Sequence, residues 1–438
     1  DLELPSTDIA LLGKAIGTYL QSRTGPKINL GRDVRLSGQR LHDALLAGLL
    51  STGCHVTDLG IVPTPLLYFS VYQMHADGGI MITGSHNPSD YNGFKMMAGH
   101  ASVYGDDIQQ IRRLMESGNF ATGAGSVTPA DIAPLYLTEI AAQFSNLPRK
   151  VKVVVDAGNG TAGPVIGPLL ARIPNLEVTE LFFEPDGRFP NHHPDPTVPE
   201  NLKHLSAKVR ETGSDLGIAF DGDTDRIGAV DENGDVVYGD MLLLIYAREI
   251  LSRKPGAKFI GEVKCSQVMY DEIARLGGQP IMYKTGHSLI KTKMKQEHAE
   301  LAGEMSGHMF FADRYYGFDD AMYGACRLIE ILSHSGKPLS AQLAGLPTPV
   351  STPELRVDTT DEAKFEIVAR LAARYKQTHQ VVDVDGVRVL FPHGWGLVRA
   401  SNTQPVLVMR FEANDAASLA AYRHEMESAV AEVQASLS

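Results

Sequence analysis

The sequence predicts an α/β protein of three similar domains with mixed, largely parallel sheets, followed by a smaller C-terminal α+β domain. Three observations lead to this prediction. The order strand–helix–strand–helix–strand occurs three times at intervals of about one hundred residues, which indicates duplication of a whole domain. Strands that alternate with helices at this spacing are typical of parallel sheets covered by helices. The 438 residues also exceed what one hydrophobic core accommodates.

The first repeat ends in a polar loop. Its first strand leads into the turn Gly31-Arg32-Asp33, and a helical stretch covers about residues 40–50. Its third strand opens the loop Thr83-Gly84-Ser85-His86-Asn87-Pro88. Ligands of such sheets bind beyond the carboxyl ends of the strands, so we expect this loop at a binding site. The predicted strands are Lys27–Leu30, His55–Leu59 and Ile80–Ile82.

The second and third repeats follow the same order. In the second, the third strand opens Asp221-Gly222-Asp223-Thr224-Asp225-Arg226. In the third, it opens Gly303-Glu304-Met305-Ser306-Gly307-His308. All three polar loops are therefore expected at the ligand-binding edges of their sheets. The predicted strands are Val151–Val155, Leu176–Leu181, Leu216–Phe220, Lys258–Ile260, Pro280–Tyr283 and Ala299–Ala302.

Two linkers and a change of pattern set the domain limits. Residues 117–126 are poor in large apolar side chains, and residues 345–353 contain three prolines that stiffen the chain. Beyond the second linker we expect a strand at Leu355–Val357, a helix over about residues 362–375, two or three strands between residues 381 and 411, and a last helix. The predicted domains are residues 1–125, 126–235, 236–346 and 347–438.

Ser85 is a candidate nucleophile. It follows a buried strand directly, it lies next to the imidazole of His86, and Pro88 stiffens the exit of its loop. A strand end can hold a hydroxyl oxygen on its target, which a flexible loop cannot do. The alternative for this motif alone is an ordinary Ser/Asn turn.

The acidic loop predicts a site for a divalent cation. Asp221, Asp223 and Asp225 alternate after a strand, and three carboxylates this close repel one another unless a cation neutralises them. Mg²⁺ suits a few carboxylates together with a phosphate or water ligand. A calcium EF-hand also has Asp at these three positions, but its sixth position requires glycine and is Arg226 here. A solvated acidic turn is the other alternative.

A glycine pattern points to a different class of protein. The stretch Gly158-Asn159-Gly160-Thr161-Ala162-Gly163 matches G-x-G-x-x-G after a strand, and Glu177 and Glu180 lie near the place of a ribose-binding acid. This is the evidence for a dinucleotide-dependent oxidoreductase. The alternative is a tight strand-to-helix turn that needs small residues.

Two further loops carry polar groups suited to a sugar phosphate. Glu304 could accept hydrogen bonds from sugar hydroxyls, and His308 could exchange protons near neutral pH. The stretch Arg399-Ala400-Ser401-Asn402-Thr403 gathers hydrogen-bond donors around one cation, which suits phosphate. Together the four loops suggest phosphoryl transfer to and from a hydroxylated anion. Three lysines could serve such a site or lie on a solvated surface: Lys264, Lys284 and Lys291.

Composition narrows the range of partners. The formal net charge of −12 disfavours nucleic acid, although local cations can still bind a small anion. The three scattered cysteines indicate a reducing, cytoplasmic setting rather than a disulfide framework or a zinc site. No run approaches the roughly 18 apolar residues of a membrane span.

These motifs resemble those of the α-D-phosphohexomutase family, and within it the bacterial phosphomannomutase/phosphoglucomutase enzymes. The resemblance covers essentially the whole chain. Four loops carry it, in the family's order and spacing: residues 83–88, 221–226, 303–308 and 399–403.

The resemblance implies four domains around a central cleft and a transferable phosphate on Ser85. It implies Mg²⁺ bound by Asp221, Asp223 and Asp225, with the phosphoserine as a further ligand. Glu304 and Ser306 match residues that bind the sugar hydroxyls. The loop for the non-reacting phosphate matches Arg399, Ser401, Asn402 and Thr403. Cleft residues, some of them acid–base candidates, match His86, Lys95, Arg226, Lys264, His287 and His308.

The implied reaction interconverts hexose 1-phosphate and hexose 6-phosphate through a hexose 1,6-bisphosphate. Met305 with His308, and residues 190–196, resemble the dual mannose/glucose enzymes, whereas glucosamine-specific relatives typically have glutamine in place of Met305. The alternatives are a phosphoglucosamine mutase, a sugar-phosphate-binding protein with an inert Ser85, and the oxidoreductase. Family members carry a Tyr-Asp-Ile-Arg-Gly segment before the place where this sequence begins, so its arginine is assigned no role. We expect a cytoplasmic monomer that binds phosphosugars and neither nucleic acid nor membranes.

Overall fold

A computed structural model describes residues 3–401 and 404–437, and the strands of this part form four sheets. The first sheet has the strand order β5-β4-β3-β1-β2-β6. Its central strands are parallel, and β4 returns antiparallel to β3. The elements of this part are α1 (Ser6–Arg23), β1 (Lys27–Arg32), α2 (Gly38–Ser51), β2 (His55–Ile61), α3 (Thr64–Gln73), β3 (Gly78–Ile82), β4 (Phe94–Ala98), β5 (Ala101–Ser102), α4 (Asp106–Ser117) and β6 (Ser126–Pro129).

The second sheet repeats this plan in the order β11-β10-β9-β7-β8. Again the third strand is parallel to the first, and the next strand returns antiparallel to it. The elements are α5 (Ala133–Gln143), β7 (Val151–Asp156), α6 (Gly163–Leu170), β8 (Leu176–Leu181), a 3₁₀ helix (Pro199–Leu202), α7 (Lys203–Thr212), β9 (Leu216–Phe220), β10 (Ile227–Asp231) and β11 (Val236–Val237).

The third sheet has the order β13-β12-β14-β15, with β12 and β14 parallel and β15 antiparallel to β14. The elements are α8 (Gly239–Arg253), β12 (Lys258–Glu262), α9 (Gln267–Arg275), β13 (Gln279–Tyr283), α10 (His287–Glu297), β14 (Leu301–Gly303), β15 (Met309–Phe311), α11 (Ala321–Ser335) and a 3₁₀ helix (Ser340–Leu343). In all three sheets one of the predicted polar loops joins the third strand to the antiparallel strand that follows it.

The fourth sheet is antiparallel, in the order β16-β21-β20-β19-β18, with β17 also paired to β21. Two helices pack against it and against each other. The sequence predicted two or three strands between residues 381 and 411; the structure has four over residues 380–413, because three connections split this stretch. The elements are β16 (Val350–Ser351), β17 (Leu355–Asp358), α12 (Ala363–Tyr375), β18 (Gln380–Val382), β19 (Val387–Phe391), β20 (Gly394–Ala400), β21 (Val406–Ala413) and α13 (Ala416–Leu437).

The predicted strands and helices recur in the structure with small differences at their ends. The strand expected at Ala299–Ala302 corresponds to β14, which begins two residues later and ends one residue later, at Leu301–Gly303. These are the residues that pair with β12. The short strand β6 follows residue 125, the predicted end of the first domain, yet pairs with β2 in the first sheet. The exact domain limits therefore stay a prediction.

The first three domains share apolar packing, whereas the fourth has a core of its own. One cluster of buried side chains runs without interruption from Leu59 through the second domain to Leu339. A separate cluster, from Ile367 to Val430, fills the fourth domain. No helix among the described residues is both long and apolar enough to cross a membrane.

Buried arginines join the fourth domain to the third. Arg388 donates to the main-chain oxygens of Val263 (2.7 Å) and Cys265 (2.8 Å), and its guanidinium lies 3.7 Å from the ring centre of Trp395. Arg410 donates to the main-chain oxygen between them, that of Lys264. Three consecutive carbonyl groups after β12 thus depend on donors from the fourth domain.

This junction predicts an effect on stability. Arg388→Met should lower the free energy of unfolding of the fourth domain by about 2–3 kcal/mol, because two buried carbonyl groups lose their donor. Urea unfolding followed by the fluorescence of Trp395, the single tryptophan, measures the change. The control is Arg370→Met, which removes an exposed pair with Glu366 and should change stability by less than about 0.5 kcal/mol. Equal unfolding midpoints for the two variants would contradict the prediction.

Candidate active site

The structure brings Ser85 against the acidic loop of the second domain. The Ser85 hydroxyl donates to Asp221 Oδ2 over 2.7 Å, and its oxygen lies 3.3 Å from His86 Nδ1. The backbone of Ser85 has a φ of +48°, in the left-handed region that side chains other than glycine rarely adopt. Gly222 allows the close approach, because a Cβ there would lie 2.6 Å from the main-chain oxygen of Ser85.

The three aspartates of that loop are fully buried. Asp221 Oδ1 accepts the main-chain N–H groups of Asp225 and Arg226, at 3.0 and 3.1 Å, and so closes the loop on itself. Thr224 has a φ of +69°, which turns the chain back into β10. The next aspartate, Asp223, accepts the hydroxyl of Thr64 from the start of α3 over 2.6 Å.

Lys95 on β4 neutralises part of this negative charge. Its Nζ donates to Asp223 Oδ2 over 2.6 Å and also to Asp225 Oδ2. Burial alone would lower the pKa of Lys95, but the two carboxylates raise it well above its ordinary value. Burial together with Asp225 and Asp223 raises the pKa of Asp221 well above its ordinary range. Such a site gains from an additional cation.

The donor set fits a hard divalent cation. Asp221, Asp223 and Asp225 offer one oxygen each within 4.8 Å of one another. Among the described residues, Asp223 Oδ1 is buried without a hydrogen-bond partner, and Asp225 Oδ1 has only the imidazole of His308 beside it, with Nε2 3.3 Å away. Buried carboxylate oxygens without donors are costly, and oxygen is the ligand atom that Mg²⁺ prefers.

His308 and Glu304 form a buried ion pair beside the acidic loop. His308 Nδ1 lies 2.6 Å from Glu304 Oε2, and its Nε2 lies 3.3 Å from Asp225 Oδ1. Burial lowers the pKa of His308, but Asp225 and Glu304 outweigh it and raise the pKa to about 9. Burial raises the pKa of Glu304, but His308 brings it down to about 2. Glu304 also accepts the main-chain N–H of Gly286 over 2.7 Å, and Ser306 Oγ lies 3.4 Å from His308 Nδ1.

Neutral imidazoles and a further cation surround this pair. Burial and nearby cations lower the pKa of His287 to about 4, and its ring centre lies 5.8 Å from that of His308. Burial and the charge of Arg226 lower the pKa of His86 to about 3. Arg226 Nε lies 3.3 Å from His308 Nε2. The site therefore combines one protonated and two neutral imidazoles.

Arg399 of the fourth domain is linked to the third domain through Asp385. Its Nε donates to Asp385 Oδ2 over 2.9 Å, and the same oxygen accepts the main-chain N–H of Thr285, which precedes α10. Ser401 follows Arg399 by two residues and is also buried. Its hydroxyl accepts the main-chain N–H of Gln404 over 3.2 Å. Lys264 Nζ lies 3.1 Å from Glu354 Oε2. Lys264 belongs to the loop after β12, whose carbonyl groups accept hydrogen bonds from Arg388 and Arg410. Two residues predicted for this site lie outside the described part of the chain: Asn402 and Thr403.

The glycine pattern of the second domain is a packing feature. A Cβ on Gly160 would lie 2.7 Å from the main-chain oxygen of Gly222, and one on Gly163 would lie 2.1 Å from that of Phe183. Main-chain N–H groups that would cradle a pyrophosphate bind the protein itself: that of Thr161 donates to Gly222, and that of Gly158 to Asp156. The turn thus supports the acidic loop, as the small-residue alternative predicts.

Sequence reasoning missed several buried residues of the site. Asp319, between β15 and α11, accepts Lys291 Nζ over 2.9 Å and lies 3.6 Å from His287 Nδ1. The missed Thr64 binds Asp223 from another domain. A Thr-Pro pair at a helix start and a double aspartate before an apolar helix were the only signals in the sequence. Neither signal identifies the partner, which lies 159 residues away for Thr64 and 28 residues away for Asp319 with Lys291.

Profiles of four domain families match the chain in order. They are phosphoglucomutase/phosphomannomutase alpha/beta/alpha domains I, II and III, at residues 3–122, 134–234 and 238–350, and the C-terminal domain at residues 354–429. The chain belongs to the phosphoglucomutase/phosphomannomutase family. The resemblance stated from the four loops and the predicted fold class are both confirmed.

Relatives and solved structures agree with this assignment. The phosphomannomutase/phosphoglucomutase of Pseudomonas putida is 48% identical over 410 residues, 93% of this chain and 88% of that protein. The phosphoglucomutase of Neisseria gonorrhoeae is 45% identical over 413 residues, 93% of this chain and 89% of that protein. A crystal structure of a phosphoglucomutase/phosphomannomutase family protein from Burkholderia thailandensis has a TM-score of 0.91 at 44% identity, covering 98% of this chain and 94% of that one. The chain is therefore a mutase enzyme of this family.

A distant structural neighbour shows the fold alone. The N-acetylphosphoglucosamine mutase of Aspergillus fumigatus, solved with GlcNAc-6P and magnesium, has a TM-score of 0.59 at 18% identity. The match covers 93% of this chain and 77% of that one.

The two imidazoles near Glu304 should titrate differently in the metal-free protein. Because the folded pKa of His308 lies above its ordinary value of 6.5, its ion pair stabilises the fold below about pH 6.5, and this contribution is lost as the pH rises through about 9. His287 should be neutral above about pH 5. NMR of labelled histidines gives both values, and Glu304→Gln should lower that of His308. Titration of both rings near pH 6.5 would contradict the prediction.

Proposed function

We propose that this protein interconverts hexose 1-phosphate and hexose 6-phosphate and accepts both mannose and glucose phosphates. The observation that carries the proposal is the 2.7 Å hydrogen bond that holds the Ser85 hydroxyl against Asp221. Phosphoryl transfer depends chiefly on positioning and charge neutralisation, and a rigid serine beside a cation site offers both. Relatives named phosphomannomutase/phosphoglucomutase support the choice of sugars.

Ser85 carries the transferable phosphate in this proposal. In the first step the phosphoserine gives its phosphoryl group to the free hydroxyl of a hexose monophosphate. The bond from Ser85 Oγ to phosphorus breaks, and a hexose 1,6-bisphosphate forms. After the bisphosphate turns over in the site, its other phosphoryl group returns to Ser85. The phosphoenzyme is restored, and the sugar leaves with its phosphate on the other carbon.

Asp221, Asp223 and Asp225, with an oxygen on Ser85, would hold Mg²⁺. Mg²⁺ bound there would neutralise charge on the transferred phosphoryl group. Lys95 and Arg226 add fixed positive charge to the same site. The chain contributes its share by keeping the serine oxygen, the carboxylates and these cations in one rigid arrangement.

The histidines supply proton transfer. When Ser85 is phosphorylated again, His86, which is neutral and lies 3.3 Å from the serine oxygen, is proposed to accept the serine proton. His308, protonated near neutral pH because of its two carboxylate neighbours, is proposed to donate a proton to the sugar oxygen that leaves phosphorus in that step. In the first step the same transfers run in reverse: His308 accepts the proton of the attacking sugar hydroxyl, and His86 returns its proton to the serine oxygen. Two imidazoles whose pKa values are shifted in opposite directions suit acid and base roles in one site.

The loops of the third and fourth domains are proposed to bind the substrate. Glu304 and Ser306 are proposed to bind sugar hydroxyls, and Lys264 and His287 are proposed to contact the same substrate. An enzyme that accepts both mannose and glucose phosphates must bind groups that the two sugars share, such as the hydroxyls at C3 and C4 and the phosphate. The non-reacting phosphate is proposed to contact Arg399, Ser401, Asn402 and Thr403.

Several finer points belong to the proposal. We propose a central cleft between four domains at residues 1–125, 126–235, 236–346 and 347–438. Hexose 1,6-bisphosphate would act as both intermediate and activator of a cytoplasmic monomer. Assays with the 1-phosphates of glucose, mannose and glucosamine side by side test the substrate. Turnover of the glucosamine compound in preference to the others would replace the proposal with a phosphoglucosamine mutase.

Replacing the proposed phosphate carrier should abolish turnover. Ser85→Ala should leave no measurable conversion of glucose 1-phosphate or mannose 1-phosphate, because no group accepts the phosphoryl group. Intact mass after incubation with the bisphosphate should rise by one phosphate in the parent enzyme and stay unchanged in the variant. The control Ser126→Ala, on the exposed strand β6, should behave like the parent. Near-full activity of Ser85→Ala would refute the phosphoserine mechanism.

Removal of the metal should also stop the reaction. Excess chelator should abolish turnover, and added Mg²⁺ should restore it. Asp223→Asn should lower kcat roughly 100-fold through weaker charge neutralisation in the transition state. The matched control is Asp107→Asn on α4, which alters an ion pair with Arg23 far from the acidic loop in sequence and should keep kcat. Unchanged turnover in excess chelator would show that the acidic loop needs no metal.

A further inference from the structure

One buried guanidinium lies at the centre of the Ser85 loop. Arg35 follows the polar turn after β1, and its side chain has no exposed surface. It donates to the main-chain oxygens of Ser85 (2.8 Å), Asn87 (2.6 Å) and Tyr91 (3.0 Å), and also to that of Pro88. Four carbonyl groups of one loop therefore share a single donor side chain.

Asp33 holds this guanidinium and the start of the same loop. Its Oδ2 accepts Arg35 Nε over 3.1 Å, the Thr83 hydroxyl over 2.8 Å and the Gly84 main-chain N–H over 3.1 Å. Thr83 Oγ1 in turn accepts the main-chain N–H of Ser85 over 2.8 Å. One buried Asp–Arg pair therefore makes the hydrogen bonds that hold both the start and the end of the loop.

The loop needs this restraint because its serine is in a strained conformation. A positive φ for a residue other than glycine persists only where its surroundings fix it. The peptide groups on either side of Ser85 are the ones held: its N–H by Thr83 and its carbonyl by Arg35. Gly84 makes the contact possible, since a Cβ there would lie 2.4 Å from the guanidinium carbon.

We propose that Arg35, held by Asp33, is a positioning residue for phosphoryl transfer: it fixes the Ser85 backbone in the left-handed conformation that directs Oγ at Asp221. This inference rests on the proposed role of Ser85. All contacts to the loop go through main-chain atoms or Thr83, so the same restraint serves the free and the phosphorylated serine. Arg35 touches neither reacting atom, and its effect on the reaction passes through the loop.

The first test compares two buried arginines. Arg35→Ala should lower kcat roughly 100-fold with little change in KM, because a misplaced nucleophile loses rate rather than binding. The control is Arg327→Ala, which removes an equally buried guanidinium from α11, where it binds Asp313 and Glu249. The control should lower the melting temperature and keep kcat. Equal losses of kcat in the two variants would overturn the proposal, because the effect would then come from general destabilisation.

The second test is chemical rescue. Free guanidinium added to folded Arg35→Ala should restore part of kcat, whereas urea or sodium chloride at the same concentration should not. Arg35→Lys should keep the fold, as judged by circular dichroism, and still lose most of kcat. The reason is that an ammonium group cannot donate to the same carbonyl groups with the planar geometry of the guanidinium. Absence of rescue, or full activity of Arg35→Lys, would overturn the proposal. If Arg35→Ala does not fold, the lysine variant decides alone.

The proposed function and this inference can fail separately. Single-turnover transfer from the phosphorylated enzyme to glucose 1-phosphate measures the chemical step directly. If Ser85→Ala is active, the proposed function fails. If Ser85→Ala is inactive while Arg35→Ala transfers phosphate at the parent rate, only the positioning role of Arg35 is refuted.

Discussion

The burial of three carboxylates at one strand end is the constraint on which this structure depends. Asp221, Asp223 and Asp225 lie out of water within a few ångströms of one another. Such a group is unstable unless positive charge and hydrogen-bond donors surround it. The protein meets this demand from different domains, with Lys95 from the first, Arg226 from the second and His308 from the third. The same electrostatic need therefore assembles the site and holds the domains together.

Motifs that are local in sequence could be predicted well. The Ser85 loop, the acidic loop and the Glu304 loop each follow an apolar strand, and parallel strands bring their carboxyl ends to one edge. Repetition of the strand order was enough to predict three related α/β domains. The antiparallel return strand after each loop places all three motifs in equivalent positions, which explains why they recur at the same point of each repeat.

Features that depend on distant partners could not be predicted from the residues. Nothing local distinguishes Lys95 from a surface lysine, because its role comes from carboxylates more than a hundred residues away. Thr64 was missed for the same reason, whereas Asp319 was missed because its spacing from Lys291 matches no local motif. The G-x-G-x-x-G pattern shows the reverse problem, since glycine required for close packing against Gly222 has the same sequence signature as glycine required for a phosphate. Short spacing patterns cannot separate the two, whereas main-chain contacts can.

The distribution of the cores has a consequence for synthesis on the ribosome. Part of the first domain has a core of its own between Ile9 and Ile111, so this part can form early. The large shared cluster cannot be completed before Leu339 has been made, since its members extend to that residue. Until then, apolar faces of the second and third domains stay uncovered, and such intermediates are the ones that aggregate. The core of the fourth domain contains only residues from Ile367 to Val430. This domain can therefore fold last and then pack against the completed third domain.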